Sequence, residues 1–252
     1  MAQQQPPPHH RPPAVSGYPA AGAAPPQGYV SVVATHMDLP AGPFPLDIVS
    51  QPDSPLAASF RVLRHRLRRS GDPRTIAITS PGHREGKTTC AINLAMALAE
   101  HGREKVMLVE PNLRRPRLAE ALGFAPPVCF AQQMAATVES RNMVWQVVAT
   151  FFDNLHVLAV SPDNPEPGRL TAPNLRHAIE TIRNGDYAYL VLDCPAALGS
   201  ADVNIIEDVA DGILLTSMAG TTTKRQLQLA AEHLAPAEIY GVVLMNQPSS
   251  KR

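Results

Sequence analysis

The residues TIAITSPGHREGKTTCAINLAMALAEHG, numbers 75–102, run from a short apolar segment through a turn of Pro, Gly and charged residues into a long Ala/Leu-rich pattern. That order reads as strand, loop and helix, and each part has a task at an anion. Backbone N–H groups of the loop and the helix start point at the anion. Gly86 lets the chain approach closely, Lys87 neutralises terminal phosphate charge, and the Thr88 hydroxyl can ligate magnesium. The nucleotide contacts expected from this segment are Gly82, Glu85, Gly86, Lys87, Thr88 and Thr89. The loop departs from the strict G-x-x-x-x-G-K-[ST] pattern, whose first position is Pro81 here, with Gly82 one place later. The competing reading is an ordinary strand-turn-helix with an exposed lysine.

On either side of this unit, short apolar runs at 105–109, 155–160, 189–192, 212–216 and 241–245 repeat the strand signal begun at 75–79. Helical stretches at 88–101, 174–183 and 223–234 fall between them. Strands alternating with helices predict an α/β fold, a mainly parallel sheet with helices on both faces. Ligands of such sheets sit beyond the carboxyl ends of the strands. Asp193 ends the run YLVL there, placed to hold a metal-bound water. Its metal set is Thr88 and Asp193, and the other reading is a cap on the next turn. A second candidate, Glu110, follows KVMLV at the head of EPNLRRP.

At roughly 150 residues per domain, 252 residues make one or two domains. Hydrophobic residues at 44% support a buried core, and 22 Lys+Arg against 22 Asp+Glu leave no overall basic field. No nucleic acid is expected as a partner. No run approaches the 18 or so apolar residues of a membrane span, and MAQQQPPPHH lacks the features of a signal peptide, so the chain reads as cytoplasmic. Cys90, Cys129 and Cys194 read as reduced thiols, and the nine histidines show no zinc spacing. Residues 1–45 hold eleven of the 26 prolines and two charged side chains, Arg11 and Asp38. They read as a disordered Pro-rich tail, either a passive linker or a docking segment, before a domain at 46–252. After Ser54-Pro55, the spacing of Leu56, Phe60, Leu63 and Leu67 predicts a helix with one apolar stripe. Arg61, Arg64, Arg66, Arg68 and Arg69 lie on its other faces with guanidinium groups free. They form a solvated face or meet an acidic subunit, a partner or phospholipid.

SPLAASFRVLRHRL, the GKTT loop, VEPNLRRP, SPDNPEPGRL, LVLDCPA, Asp202 and GVVLMNQ, in that order over residues 53–247, resemble the bacterial tyrosine kinases, or BY-kinases, of capsular and exopolysaccharide synthesis. These share a P-loop group with the Min, Par and Mrp ATPases. The resemblance implies an Mg-ATP-dependent tyrosine autokinase, peripheral to the inner membrane through a polysaccharide co-polymerase whose cytoplasmic segment switches it on. It implies that Lys87 and Thr88 hold phosphate and magnesium and that Asp193 helps hold the metal. Glu110 stands where the family has an aspartate that contacts metal and activates the attacking tyrosine, and Asn246 stands near the base. The family's amino-terminal helix packs subunits into a ring, which makes the 55–69 helix a site of homo-oligomerisation.

Three departures accompany the matches. The family's D-x-D-x-R is Glu110, Asn112 and Arg114. Because positioning errors near 1 Å cost on the order of a hundredfold, phosphoryl transfer is expected to be slow or absent. The family's E-x-x-R-x-x-R is Ala58, Arg61 and Arg64, and the chain ends NQPSSKR without a tyrosine run. Tyr187, Tyr189 and Tyr240 are expected to pack, while Tyr18 and Tyr29 lie in the tail. Trp145, with Val144, Val147 and Val148, is expected in the core, and Thr221 to Thr223 are expected to cap a helix. Alternatives to an active kinase are a pseudokinase whose ATP-dependent assembly is its output and a Par- or Min-like positioning ATPase.

Overall fold

The central apolar runs, 75–79, 106–109 and 189–193, form strands buried on both faces. The computed structural model describes residues 31–36, 47–100, 102–137, 144–162 and 170–246. Its elements are, in order, β1 (Ser31–His36), α1 (Asp47–Ser50), α2 (Pro55–Arg69), β2 (Thr75–Thr79), α3 (Lys87–Ala99), β3 (Val106–Val109), α4 (Leu118–Leu122) and α5 (Phe130–Thr137). There follow β4 (Val144–Ala149), β5 (Leu155–Leu158), α6 (Ala172–Arg183), β6 (Tyr189–Asp193), α7 (Asp202–Glu207), β7 (Gly212–Met218), α8 (Lys224–His233) and β8 (Ile239–Met245). These strands form one sheet in the order β1-β4-β5-β3-β6-β2-β7-β8. All its pairings are parallel except that of β4 with β5.

Successive side chains of a strand point to opposite faces. Ile76, Ile78, Val106, Leu108 and Val191 therefore join the core beneath α2 and α3, while Ala77, Met107, Val109, Leu190 and Leu192 join the core beneath α5, α6 and α8. The α/β architecture read from the sequence is the one that forms. Helix α3 is buried from Cys90 to Ala99, since α2 covers the side that the sheet does not.

Two strands run outside the sequence reading. Ser31–His36, assigned there to the disordered tail, forms β1 and pairs with β4. An edge strand needs one neighbour only, and the β-branched Val32, Val33 and Thr35 suit it. The rest of the tail, with Tyr18 and Tyr29, lies outside the described residues, as do residues 163–169 of SPDNPEPGRL and the terminal QPSSKR. Strand β4 holds Trp145, fully buried with its ring centroid 6.0 Å from that of Phe130. Val147 and Val148 are buried with it, whereas Val144 is half exposed.

Helix α2 begins as expected, with the Ser54 hydroxyl accepting from the Ala57 N–H at 3.1 Å and Pro55 in the first turn. Its arginines are not all free. Arg61 Nε donates to both oxygens of Glu100, at 2.8 and 3.0 Å, Arg64 donates to the Ala97 carbonyl and to Glu100, and Arg68 meets Glu104. These cations clamp α2 to the carbonyl end of α3, where the helix dipole favours positive charge. Arg66 and Arg69 stay exposed. No helix among the described residues is long and apolar enough to cross a membrane.

The tyrosines pack as expected. Tyr189 donates to Asp72 at 2.6 Å beneath the Arg74 guanidinium, Tyr187 hydrogen-bonds His156 Nδ1 at 2.6 Å, and both are buried. The Tyr240 ring lies across Gly212, where a Cβ would stand 1.8 Å from the ring. Gly212→Ala is therefore expected to destabilise the protein by about 1–3 kcal/mol, as overpacking does. The check is a lower urea midpoint at unchanged slope.

Candidate nucleotide site

The loop after β2 enters the helix through Gly86. Gly86 has φ 81°, and a Cβ there would stand 2.8 Å from Cγ of Met245, so this position requires glycine. It is also the N-cap of α3 and supplies no side-chain hydrogen bond. The first N–H groups of α3, including those of Lys87, Thr88 and Thr89, have no side-chain cap and lack partners within the helix. Lys87, Thr88 and Thr89 line a cavity of about 970 Å³, together with His83, Arg84 and Arg115.

Lys87 is nearly buried. Its ammonium donates to Ser80 Oγ at 3.0 Å and to the Gly82 carbonyl at 3.1 Å. Burial lowers its pKa, and the nearby Asp193 and Glu85 oppose that shift. Glu85, expected to contact nucleotide, lines the cavity and also braces the loop. One oxygen accepts from the Gly82 N–H at 2.7 Å and the other from the Thr222 hydroxyl at 2.7 Å. Sequence reasoning missed Thr222 because it lies 137 residues from Glu85. Its hydroxyl also accepts from the Met218 N–H at 2.8 Å, while Thr223 caps α8 in a box with Gln226.

Asp193 ends β6 opposite Ile78 of β2, so it reaches the carboxyl end of the sheet beside the loop. It is fully buried, and neither carboxylate oxygen has a hydrogen-bond partner. Burial pushes its pKa up to about 7. The Glu110 carboxylate adds to the rise, while the Thr88 hydroxyl and Lys87 ammonium oppose it. An orphaned buried carboxylate is costly and calls for a cation. Two such oxygens near the Thr88 hydroxyl are hard donors of the kind magnesium takes, so these residues fit the ion. Asp193 does not line the cavity whereas Thr88 does, which suits a carboxylate acting through a metal-bound water.

Glu110 is held elsewhere. Oε1 accepts from the backbone N–H of Arg117 and from that of Leu118 at 2.8 Å, and Oε2 accepts from the Val160 N–H at 3.0 Å. Burial raises its pKa, and these three donors oppose the rise. It clasps the start of α4 to the end of β5. At roughly 1.5–3 kcal/mol for each bond to a charged group, Glu110→Ala is expected to cost about 3 kcal/mol or more. The check is thermal unfolding of the nucleotide-free chain. Nearby, Asn112 Nδ2 donates to the Arg115 carbonyl at 2.8 Å, and Arg114 pairs with Asp202 at 3.1 Å. Asn246, expected near the base, is exposed at φ 55° just after Met245, the residue that packs on Gly86, and is not among the residues that line the cavity.

No protein-family model matches the chain. It is 28% identical over 208 residues to the tyrosine-protein kinase YwqD of Bacillus subtilis (strain 168), covering 81% of this chain and 86% of that one. It is 27% identical over 203 residues to the succinoglycan biosynthesis transport protein ExoP of Rhizobium meliloti (strain 1021), covering 78% of this chain but only 26% of that one. Of three MinD septum site-determining relatives it spans 54% to 62%. The kinase domain of the Escherichia coli tyrosine kinase ETK superposes with a TM-score of 0.68 at 18% identity, over 82% of this chain and 83% of that one. MinD from Pyrococcus horikoshii OT3, complexed with Mg-ADP, gives 0.57 at 24% identity, over 68% and 69%.

Proposed function

We propose that this chain, whose homologues are bacterial tyrosine-protein kinases and whose structural neighbours include BY-kinase domains and MinD-like P-loop ATPases, binds Mg-ATP and supports capsule or exopolysaccharide synthesis beside a membrane polysaccharide co-polymerase. The observation that carries the nucleotide reading is the pair formed by Lys87, at the start of α3, and Asp193, at the end of β6 beside β2. The ammonium is held by neutral loop groups at an uncapped helix start, and the buried carboxylate has only that ammonium and the Thr88 hydroxyl to offset its charge. Anions favour the first arrangement and a divalent cation the second. Lys87 and the loop amides would take the terminal phosphates, with Thr88 and Asp193 holding magnesium. Magnesium, when bound, neutralises phosphate charge. The relatives named for tyrosine-protein kinases and succinoglycan transport support the process, and α2 remains the proposed subunit contact.

A second reading, the pseudokinase, is favoured by Glu110. A carboxylate occupied by three backbone N–H groups has little freedom to take a proton from an attacking hydroxyl, and Asn112 offers an amide instead of a second acid. In this reading nucleotide-dependent assembly with the co-polymerase is the output. The test is to incubate the protein with labelled ATP and magnesium, with and without the partner's cytoplasmic segment. Bound nucleotide, released phosphate and phosphotyrosine are then measured. Binding without phosphotyrosine in either condition selects the second reading, phosphotyrosine selects the first, and absence of binding overturns both.

A further inference from the structure

Strand β8 closes one edge of the sheet and has a neighbour on one side only among the described residues. After a register shift at its start, residues 241–245 run regularly along β7. The Met245 carbonyl accepts from the Ala219 N–H at 3.0 Å, so Met245 directs its backbone groups inward. Alternation along the strand then turns the N–H and C=O groups of Val242 and Leu244 outward. An open row of this kind is a template for another strand, and the sequence IYGVVLM places neither lysine nor proline there to blunt it.

The side chains at this edge are open as well. Val243 and Met245 pack on the core beneath α3, so Val242 and Leu244 point to the other face, where Ala230 of α8 is buried. Val242 is 54% exposed, Leu244 50% and Leu229 of α8 42%, which puts three large apolar side chains on one side of one edge. A second copy fits that edge about a two-fold axis at Val243. Val242 of each copy then stands opposite Leu244 of the other, as the hydrogen-bonded pairs of an antiparallel ladder. Helix α8 joins parallel strands and so runs against β8. Its Lys224 and Arg225 lie toward the end of β8, and Glu232 and Glu238 lie toward the start. The same axis brings the basic end of one α8 to the acidic end of the other. All four charges are exposed, and none joins an ion pair among the described residues.

We propose that β8 and α8 form an interface with β8 and α8 of a second copy of this chain, antiparallel, joining two eight-stranded sheets into one. The contact is separate from α2, which lies over α3 on the other face, and from the cavity, which Leu229, Val242 and Leu244 do not line. It stands without the nucleotide reading. Five strand residues and one helix make a small interface, so the dimer is reversible and fills over about 1 to 100 µM. Sedimentation velocity of the full chain across that range reads it. Val242→Lys with Leu244→Lys raises the dissociation constant about tenfold or more. The urea midpoint of the monomer stays close to the parent's, because both side chains are half exposed. An acidic variant, Lys224→Glu with Arg225→Glu, and a basic one, Glu232→Lys with Glu238→Lys, each dimerise more weakly than the parent. Their equimolar mixture recovers the dimer, and adding the two strand lysines to the acidic member removes it. A monomer at every concentration overturns the proposal. So does a dimer that neither the strand lysines nor the charge changes weaken, or a larger assembly dispersed by substitutions in α2 alone. Slow hydrogen exchange at the Val242 and Leu244 amides of a monomeric sample also overturns it, since another part of the chain would then cover the edge.

Discussion

Lys87→Ala lowers Mg-ATP affinity by about a hundredfold or more and leaves the fold intact. The ammonium is the one lysine charge lining the cavity among the described residues, and its present partners are a hydroxyl and a carbonyl of its own loop. Both are neutral acceptors that phosphate oxygens can replace. Two hydrogen bonds to a charged group, at roughly 1.5–3 kcal/mol each, account for a change of two decades or more. The nucleotide-free fold gains little from this lysine, because burial works against its charge. The removed side chain therefore costs about 1 kcal/mol or less in stability, on the scale of neutral hydrogen bonds exchanged with water. Calorimetric titration reads the affinity and urea unfolding reads the fold. Unchanged affinity would return the loop to an ordinary strand-turn-helix.

What was legible in the sequence is what short range determines. The 75–79 run, the glycine before Lys87 and the long helix after it depend on alternation, on one left-handed residue and on helical spacing, all within a window of about thirty residues. Asp193 was legible for the same reason, as a carboxylate ending an apolar strand. The fate of the other charges was not, because it is set across the fold. Glu100 captures Arg61 from 39 residues away, Thr222 captures Glu85 from 137, and Val160 holds Glu110 from 50. Each pairing depends on the strand order, since β3 lies between β5 and β6 and brings the end of β5 to Glu110. Nothing local separates a glutamate that meets a metal from one that caps a loop. Edge strand β1 was hidden differently, as a short β-branched run inside a Pro-rich composition.

Asp193→Asn is expected to stabilise the nucleotide-free chain at neutral pH and to abolish the help that magnesium gives to ATP binding. The folded carboxyl is raised from 3.8 to about 7, so between those values the folded state holds a proton that the unfolded state has released. Stability therefore falls as pH rises from about 4 to about 7, then levels off, with a total on the order of 4 kcal/mol for this group. The neutral amide removes that slope, and the variant melts higher than the parent at pH 8, where the parent's carboxylate is buried without a partner. Lys87→Ala has the opposite tendency, because the ammonium is one of the groups that keep the Asp193 pKa from rising further. With nucleotide the gap narrows. The parent gains about 2.7 kcal/mol at a ligand concentration a hundredfold above its Kd, and its magnesium-dependent affinity climbs through pH 7 as Asp193 ionises. The variant shows no such climb. Thermal melts from pH 5 to 8, with and without Mg-ADP, read both effects. A variant less stable than its parent at pH 8 would mean that the carboxylate is paired, and a variant that keeps the magnesium dependence would remove Asp193 from the metal site.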